Sequence, residues 1–270
     1  MDTPRITPIA GITQENTQVK TFWFDYELQS NPGQFVMLWI PEVDQKPFSI
    51  AYDTGTRFGV AVFPVGPFSS QLCEMKVGER IGITGPYGRS FTIYPKTHYI
   101  TVGGGYGAGP LGMVAEKIVA GGSTVDFCIG AKTKELLLFE DRIKKLPGVS
   151  IHVATDDGSR GHHGYVTNIL EQLLQQYSTS TLQHAIHVST CGPELMEKKV
   201  LEICNTYKVD CEISIERYMK CGFGVCGQCC VDDSGMRMCV EGPVVNRDMA
   251  NQIHEFGKYH RDKSGTRVQY

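Results

Sequence analysis

Between positions 221 and 239 the sequence reads CGFGVCGQCCVDDSGMRMC, and Cys221, Cys226, Cys229 and Cys239 stand in the spacing C-x4-C-x2-C-x9-C. Four thiolates this close can converge on one inorganic centre, and C-x4-C-x2-C with a more distant fourth cysteine is the plant-type [2Fe–2S] spacing. Gly222, Gly224 and Gly227 let the loop bend tightly enough for backbone N–H groups to point at the sulfurs. A structural zinc site accepts the same thiolates but ordinarily takes C-x2-C at both ends, and only one such pair is present. The cluster is therefore the reading adopted. Cys230, directly after Cys229, is left out of the ligand set by spacing. Of the other cysteines, Cys73, Cys128, Cys204 and Cys211 read as small buried hydrophobes, whereas Cys191 is set apart by its neighbours.

An even count of ten cysteines would suggest disulfides in a short secreted chain, but here five crowd into one loop. The first residues, MDTPRITPIAG, carry an acid at Asp2 and no apolar run, so no secretion signal is expected and the chain is placed in the cytoplasm. Lys and Arg total 26 against 29 acids and are scattered, which excludes the basic face that nucleic-acid binding needs. The longest uncharged stretch, His98 to Ala115, is rich in glycine and interrupted by Pro110, unlike a membrane span.

A chain of 270 residues exceeds the usual size of one domain, and the rhythm of apolar runs divides it in three. From residue 1 to 95, short runs at Gln18–Tyr26, Gln34–Ile40, Phe48–Tyr52, Arg57–Phe63 and Glu79–Thr84 are cut by Gly/Pro/Asp turns, which predicts an antiparallel β-barrel with no long helix. From 96 to 216, YITVG, VDFCIG, VSIHVAT, AIHVST and CEISIE alternate with helical stretches at Pro110–Val119, Glu135–Leu146, Tyr165–Tyr177 and Pro193–Tyr207. That alternation predicts a doubly wound parallel α/β domain with ligands at the carboxyl ends of its strands. Residues 217 to 270 have little periodicity and form a small lobe that the cysteines staple. The fold class is thus β plus α/β.

Two loops of the middle stretch follow a strand and open a helix. In GGGYGAGP, Gly104, Gly105 and Gly107 permit a tight turn and close approach of a phosphate-bearing ligand to a helix N-terminus, although Ala108 stands where the dinucleotide fingerprint has its last glycine. In CGPELM, Cys191, Gly192 and Pro193 form a second such loop, and a nucleotide crossing both is geometrically sensible. Asp156 and Asp157 end a third strand as turn caps or ligand contacts. In the first stretch, Lys46, Pro47, Phe48 and Ser49 combine a cation, a flat ring and a hydroxyl, which suits the pyrophosphate and ring of a flavin. His162, His163, His184 and His187 read as solvated or capped imidazoles, and Asp232-Asp233 as a polar turn. Gly130-Ala131-Lys132 offers no acidic ribose partner, so NAD and NADP are not distinguished.

Together, PGQFVMLWIP, KPFSI, GITGPYGRSF, GGGYGAGPL, TDDGSRGHHGYVT, CGPELM and ERYMKCGFGVCGQC resemble the ferredoxin reductase superfamily, and within it the electron-transfer subunits of class 1B, NAD-dependent dihydroorotate dehydrogenases. The resemblance covers nearly the whole chain. It implies FAD at the barrel, NAD(H) at the α/β domain and a [2Fe–2S] cluster at the C-terminal lobe. It would put Pro47, Phe48 and Ser49 against the flavin, Gly104, Gly105 and Gly107 on the nucleotide, and the four spaced cysteines on iron. Two departures stand out: Lys46 replaces an arginine and cannot fork onto a pyrophosphate, and Gly66-Pro67-Phe68-Ser69-Ser70 replaces a Gly-x-Gly-Thr turn, so Ser69 or Ser70 would supply the hydroxyl.

The resemblance also implies a partner FMN subunit that oxidises dihydroorotate in pyrimidine synthesis, in a heterotetramer of two of each chain. Electrons would pass by the cluster to FAD and leave as hydride to NAD, with Cys191 beside the reacting rings. The small subunit of an NADH-dependent ferredoxin:NADP oxidoreductase or sulfide dehydrogenase shares these modules, and a non-catalytic zinc-stapled nucleotide-binding module is the alternative from another class.

Overall fold

The computed structural model describes residues 3–179 and 185–270. Met1, Asp2 and His184 fall outside the described residues. The first stretch folds as seven antiparallel strands, β1 (Arg5–Pro8), β2 (Gly11–Gln14), β3 (Lys20–Phe24), β4 (Phe35–Ile40), β5 (Asp44–Asp53), β6 (Phe58–Val62) and, after helix α1 (Pro67–Glu74), β7 (Arg80–Tyr87). Their order is β1-β7-β4-β5-β6-β3-β2. The two edge strands are joined by Ile9 and Ala10 alone, whose N–H groups donate to Glu79 O and Trp23 O across both edges. The sheet must therefore roll until its edges meet, which is the barrel. Phe22, Phe24, Val36, Leu38, Ile50, Phe58 and Val60 fill it, each buried side chain contributing on the order of 2 kcal/mol.

α1 was not expected, because GPFSS reads as a turn. Pro67 suits the first helical turn, and Ser69 Oγ accepts from Val65 N–H (2.9 Å) and Gly66 N–H (3.1 Å), so the hydroxyl starts a two-turn helix whose Phe68 and Leu72 are buried.

The second sheet contains β8 (Thr97–Gly104), β9 (Thr124–Ala131), β10 (Val149–Thr155), β11 (His162–His163), β12 (Ala185–Cys191), β13 (Asp210–Ser214) and β14 (Val244–Asn246) in the order β11-β10-β9-β8-β12-β13-β14. All pairs are parallel except β13–β14. The helices α2 (Ala108–Ala120) and α3 (Glu140–Ile143) pack on one face, and α4 (Val166–Ser178) and α5 (Glu194–Tyr207) on the other. The chain runs outward from β8 through β9 to β10 and returns to β12 on β8's other side. That reversal opens a crevice at the carboxyl ends of β8 and β12.

The helix expected over Glu135–Leu146 is broken into a 3-10 turn at Lys134–Leu136 and the single turn of α3. Phe139 adopts φ +63 at the break, and Leu138 and Phe139 turn away to pack with Val19 and Ala108. Burial of two apolar side chains between barrel and α/β domain outweighs helical continuity.

After the cysteine loop, β14 adds an antiparallel edge to the parallel sheet, α6 (Arg247–Asn251) follows, and the hairpin β15 (Tyr259–Arg261)–β16 (Arg267–Gln269) ends the chain. Among the described residues no helix is long and apolar enough to cross a membrane.

Candidate functional site

Gly103 and Cys191 are register partners on β8 and β12, so the glycine loop and the Cys191-Gly192-Pro193 loop leave the sheet side by side. They touch backbone to backbone. A Cβ on Gly107 would lie 2.3 Å from Cys191 O, one on Gly104 2.7 Å from Pro193 Cδ, and one on Gly192 3.0 Å from Gly104 N. Gly105, by contrast, has φ +55 and nothing within 4 Å of its Cβ position. It presents bare backbone to the crevice beside the N-termini of α2 and α5, where unpaired N–H groups and the helix dipole favour phosphate.

Cys191 is 8% exposed, and burial, with the nearby Glu197 charge, pushes its thiol up. Near neutral pH it is an uncharged, soft packing surface. Beneath it Glu197 accepts the Gly192 N–H at 3.0 Å, and burial holds its carboxyl well above the ordinary 4.5. Asp157, read as a turn cap or ligand contact, accepts Ser159 N–H (2.9 Å) and Oγ–H (2.6 Å) and so caps its own turn.

On the barrel wall, Lys46, Pro47, Phe48 and Ser49 lie on β5, in mid-sheet, yet all four are only half-buried. A central strand left partly uncovered fits a flat group lying over it, the Phe48 ring supplying an apolar surface 5.9 Å from Phe68. Lys46 is already engaged: its Nζ bonds Asp44 Oδ2 (2.7 Å) and the Tyr218 hydroxyl (2.9 Å) and lies 4.3 Å from that ring's centroid. Ser69 is committed to its own loop, whereas Ser70 is exposed and Gly66 has open space where a Cβ would be. The α1 N-terminus and the exposed Ser70 hydroxyl are thus the groups of this wall left open to an anion.

The barrel, the glycine loop and the end of the α/β stretch meet at Tyr106. Its ring stacks on Phe63 (6.3 Å, 18°), and its hydroxyl donates to Glu216 Oε2 (3.4 Å). Glu216 is exposed yet hemmed in by protein, as a group lining a deep cleft is. That surrounding raises its carboxyl, and the Glu216 charge in turn raises the Tyr106 phenol. Neither spacing nor periodicity assigns a role to Tyr106, Glu216, Arg217 or Tyr218. The only signal for the last three was their place in the ERYMK segment.

The four spaced cysteines gather as two couples, Cys221 with Cys226 and Cys229 with Cys239, each in side-chain contact. Around Cys221, burial raises the thiol, but the N–H groups of Cys226, Phe223 and Val225 outweigh it and lower it to about 7. Cys229 is lowered to about 6, first by the Cys239 side chain and then by backbone donors including the Cys239 N–H at 3.4 Å. Cys239 is raised by the same contact. Thiols eased toward thiolate are what iron requires. Two couples suit two irons better than one zinc. Cys230 lies beside Gly227, outside both couples. Phe223, Val225 and Cys226 leave the loop's outer surface exposed and largely apolar.

The family described as iron-sulfur cluster binding domain of dihydroorotate dehydrogenase B matches residues 216–250. A Methanocaldococcus jannaschii protein named "Probable dihydroorotate dehydrogenase B (NAD(+)), electron transfer subunit" is 43% identical over 271 residues, covering 100% of both chains. The chain belongs to this family. A Methanothermobacter thermautotrophicus protein of the same name is 39% identical over 99% of this chain and 98% of its own. Among solved structures, a chain from the NADH-dependent reduced ferredoxin-NADP oxidoreductase superposes with TM-score 0.80 at 26% identity, covering 92% of this chain and 90% of that one. The β plus α/β fold expected for a ferredoxin reductase is thus the fold of this family member.

Proposed function

We propose that this chain is the electron-transfer subunit of an NAD-dependent dihydroorotate dehydrogenase, working between a catalytic partner subunit and NAD through a [2Fe–2S] cluster and FAD. The observation that carries the reading is full-length 43% identity to a protein named for that role, joined to a site in which three modules face one cleft. Cys221, Cys226, Cys229 and Cys239 hold the cluster. Pro47, Phe48 and Ser49 hold the flavin ring, and the α1 N-terminus with Ser70 takes its pyrophosphate. Gly104, Gly105, Gly107, Gly192 and Pro193 hold the nicotinamide nucleotide. Between a one-electron centre and a hydride carrier a flavin is the required converter, because it exchanges electrons singly or in pairs.

The chain's own residues orient and seal. Lys220 Nζ bonds Asp44 Oδ1 at 2.6 Å, and the same carboxylate receives Lys46, so the residue before the first cluster ligand is fastened to the flavin strand. Cys191 fills the space beside the reacting rings without offering a thiolate. Tyr106, stacked on Phe63, ties the nucleotide loop to the barrel on that side of the cleft.

The partner is an FMN subunit that oxidises dihydroorotate, assembled as two of each chain. Exposed Phe223 and Val225 beside Cys226 offer it an apolar face next to the cluster. No disulfide joins any of the ten cysteines, which is consistent with a reducing cytoplasm. Anaerobic purification with visible and electron paramagnetic resonance spectra, before and after NADH, tests the reading. Flavin bleaching with a reduced [2Fe–2S] signal and copurification of an FMN subunit are expected. Copurification of a larger FAD and [4Fe–4S] subunit would assign the chain to the ferredoxin:NADP oxidoreductase group. A colourless zinc protein would overturn the redox reading.

A further inference from the structure

Arg217 stands between the nucleotide loop and the cysteine loop, four residues before Cys221, with a side chain only 3% exposed. Its guanidinium forks in two directions. Nη1 and Nη2 donate to Glu194 Oε2 (2.5 Å) and Oε1 (3.4 Å), and Nε donates to Glu255 Oε1 (3.0 Å). Both carboxylates are as deeply buried as the arginine, at 4% and 3%.

Each carboxylate holds a different working part. Glu194 is the first residue of α5, the helix that begins where Cys191-Gly192-Pro193 ends, and it also accepts Gly257 N–H (2.8 Å) and the Tyr270 hydroxyl (2.5 Å). Glu255 accepts the Asp232 N–H (2.5 Å), just beyond Cys229 and Cys230. Arg217 Nη1 also donates to Glu216 O (2.8 Å), fixing the residue that meets Tyr106 in the cleft. One planar group therefore ties together the nucleotide loop, the cleft acid, the cluster loop and the C-terminal tail.

A buried Glu–Arg–Glu triad is an expensive way to stabilise a protein, since well-packed apolar residues often serve as well. What it supplies is direction. A guanidinium presents donors in a rigid fork, which a lysine ammonium cannot do.

We propose that Arg217 is a positioning residue that sets the nucleotide loop and the cluster loop in register, so that one side chain governs both NAD(H) affinity and the electronic environment of the cluster. This rests on the function proposed above. Glu194 carries the nucleotide arm, and Glu255 the cluster arm.

The test compares holoprotein of the wild type with Arg217→Met, Arg217→Lys, Glu194→Gln and Glu255→Gln. The readouts are iron and flavin content, the NADH dissociation constant, and the cluster's midpoint potential and electron paramagnetic resonance g-values. Arg217→Met, carrying normal iron and flavin, is expected to bind NADH on the order of tenfold more weakly and to shift both potential and g-values. Glu194→Gln moves chiefly NADH affinity and Glu255→Gln chiefly the cluster signals. Arg217→Lys, which keeps the buried charge, is the variant read if Arg217→Met does not fold, and it is expected to move both readouts in the same direction by less. A lowered melting temperature with NADH affinity, potential and g-values unchanged in the folded Arg217 variant would overturn the proposal. Wild-type protein without cluster or flavin would overturn the function and this inference together. Wild-type protein with both, and Arg217 variants that move neither readout, would sink this inference alone.

Discussion

The guanidinium of Arg142 lies 3.8 Å from the centroid of the Tyr52 ring, placing a cation of the α/β domain on an aromatic face of the barrel. Arg142 also donates through Nη1 to Ala51 O (2.6 Å) and through Nε and Nη2 to both oxygens of Glu116 (2.8 and 2.9 Å). Its side chain is 12% exposed. A bidentate ion pair, a carbonyl bond and a stacked ring meet here, in the seam that holds flavin wall and nucleotide crevice face to face.

Arg142→Ala should therefore loosen that seam. Loss of charge-assisted bonds at a mostly buried site costs about 2–3 kcal/mol, and for a chain of this size about 5–10 °C of apparent melting temperature. Circular dichroism melts check it. Arg142→Lys should recover less than half, because an ammonium cannot bond Glu116 bidentately. A melting temperature within a degree of wild type would show that the seam is held elsewhere, for instance by Leu138 and Phe139.

Cys226→Ser separates the cluster from the rest of the machine. Cys226 is exposed at the loop surface, so its replacement leaves the core intact while removing one of four ligands. Iron content and the reduced [2Fe–2S] signal should fall to background, and electron delivery to the partner should be lost. NADH-driven flavin reduction, followed by stopped-flow absorbance, should stay within about threefold, since a rate factor of ten needs about 1.4 kcal/mol at the reacting centre. Retention of the cluster would remove Cys226 from the ligand set and direct attention to Cys230.

Much of this was legible in the sequence because the relevant signals are local. The cysteine spacing and the alternation of strands and helices depend on neighbours within one element. Other features depend on distant partners. The 135–146 segment has helical periodicity, but Leu138 and Phe139 find a better position between the domains. Lys46 reads as a pyrophosphate ligand until Tyr218, far along the chain, is seen to hold it. Arg217 carries no local signal of burial, which follows only from Glu194 and Glu255 closing on it. Helix α1 was hidden because proline and serine signal a turn and a helix start equally well.

The glycine loop makes a paired prediction. At Gly107 the backbone has ordinary helical angles (φ −61), so Gly107→Ala is purely a question of space, and the new methyl would meet Cys191 O at 2.3 Å. Two backbone segments must part. The NADH dissociation constant should rise on the order of a hundredfold, equivalent to about 2.7 kcal/mol, with flavin content unchanged. At Gly105 the space is open and φ is +55, so Gly105→Ala pays only left-handed strain of about 1–2 kcal/mol. Isothermal titration should rank Gly107→Ala as the more damaging, and the reverse order would mean that the nucleotide packs directly on Gly105 and that the Gly107–Cys191 contact yields to an added methyl.

Glu197 gives the chain a pH dependence whose sign can be worked out. Burial, with the Glu194 and Glu216 charges also raising it, holds the folded-state carboxyl well above its unfolded value of 4.5, against the lowering effect of the Gly192 N–H and Arg217. Between those two values the folded state binds more protons than the unfolded state. Stability from this group is thus fully present below about 4.5 and is lost as pH rises through the folded-state value. Glu197→Gln keeps an oxygen to accept the Gly192 N–H but cannot ionise. The variant should therefore lie closest to wild type at pH 5 and become the more stable of the two as pH rises from there, by up to about 1.4 kcal/mol per pH unit until Glu197 ionises in the folded state. Urea unfolding at pH 5, 7 and 8.5 measures it. Parallel curves for the two proteins would mean that Glu197 ionises in the folded state as it does in the unfolded one, and that the Cys191–Pro193 loop rests on a carboxylate rather than a neutral acid.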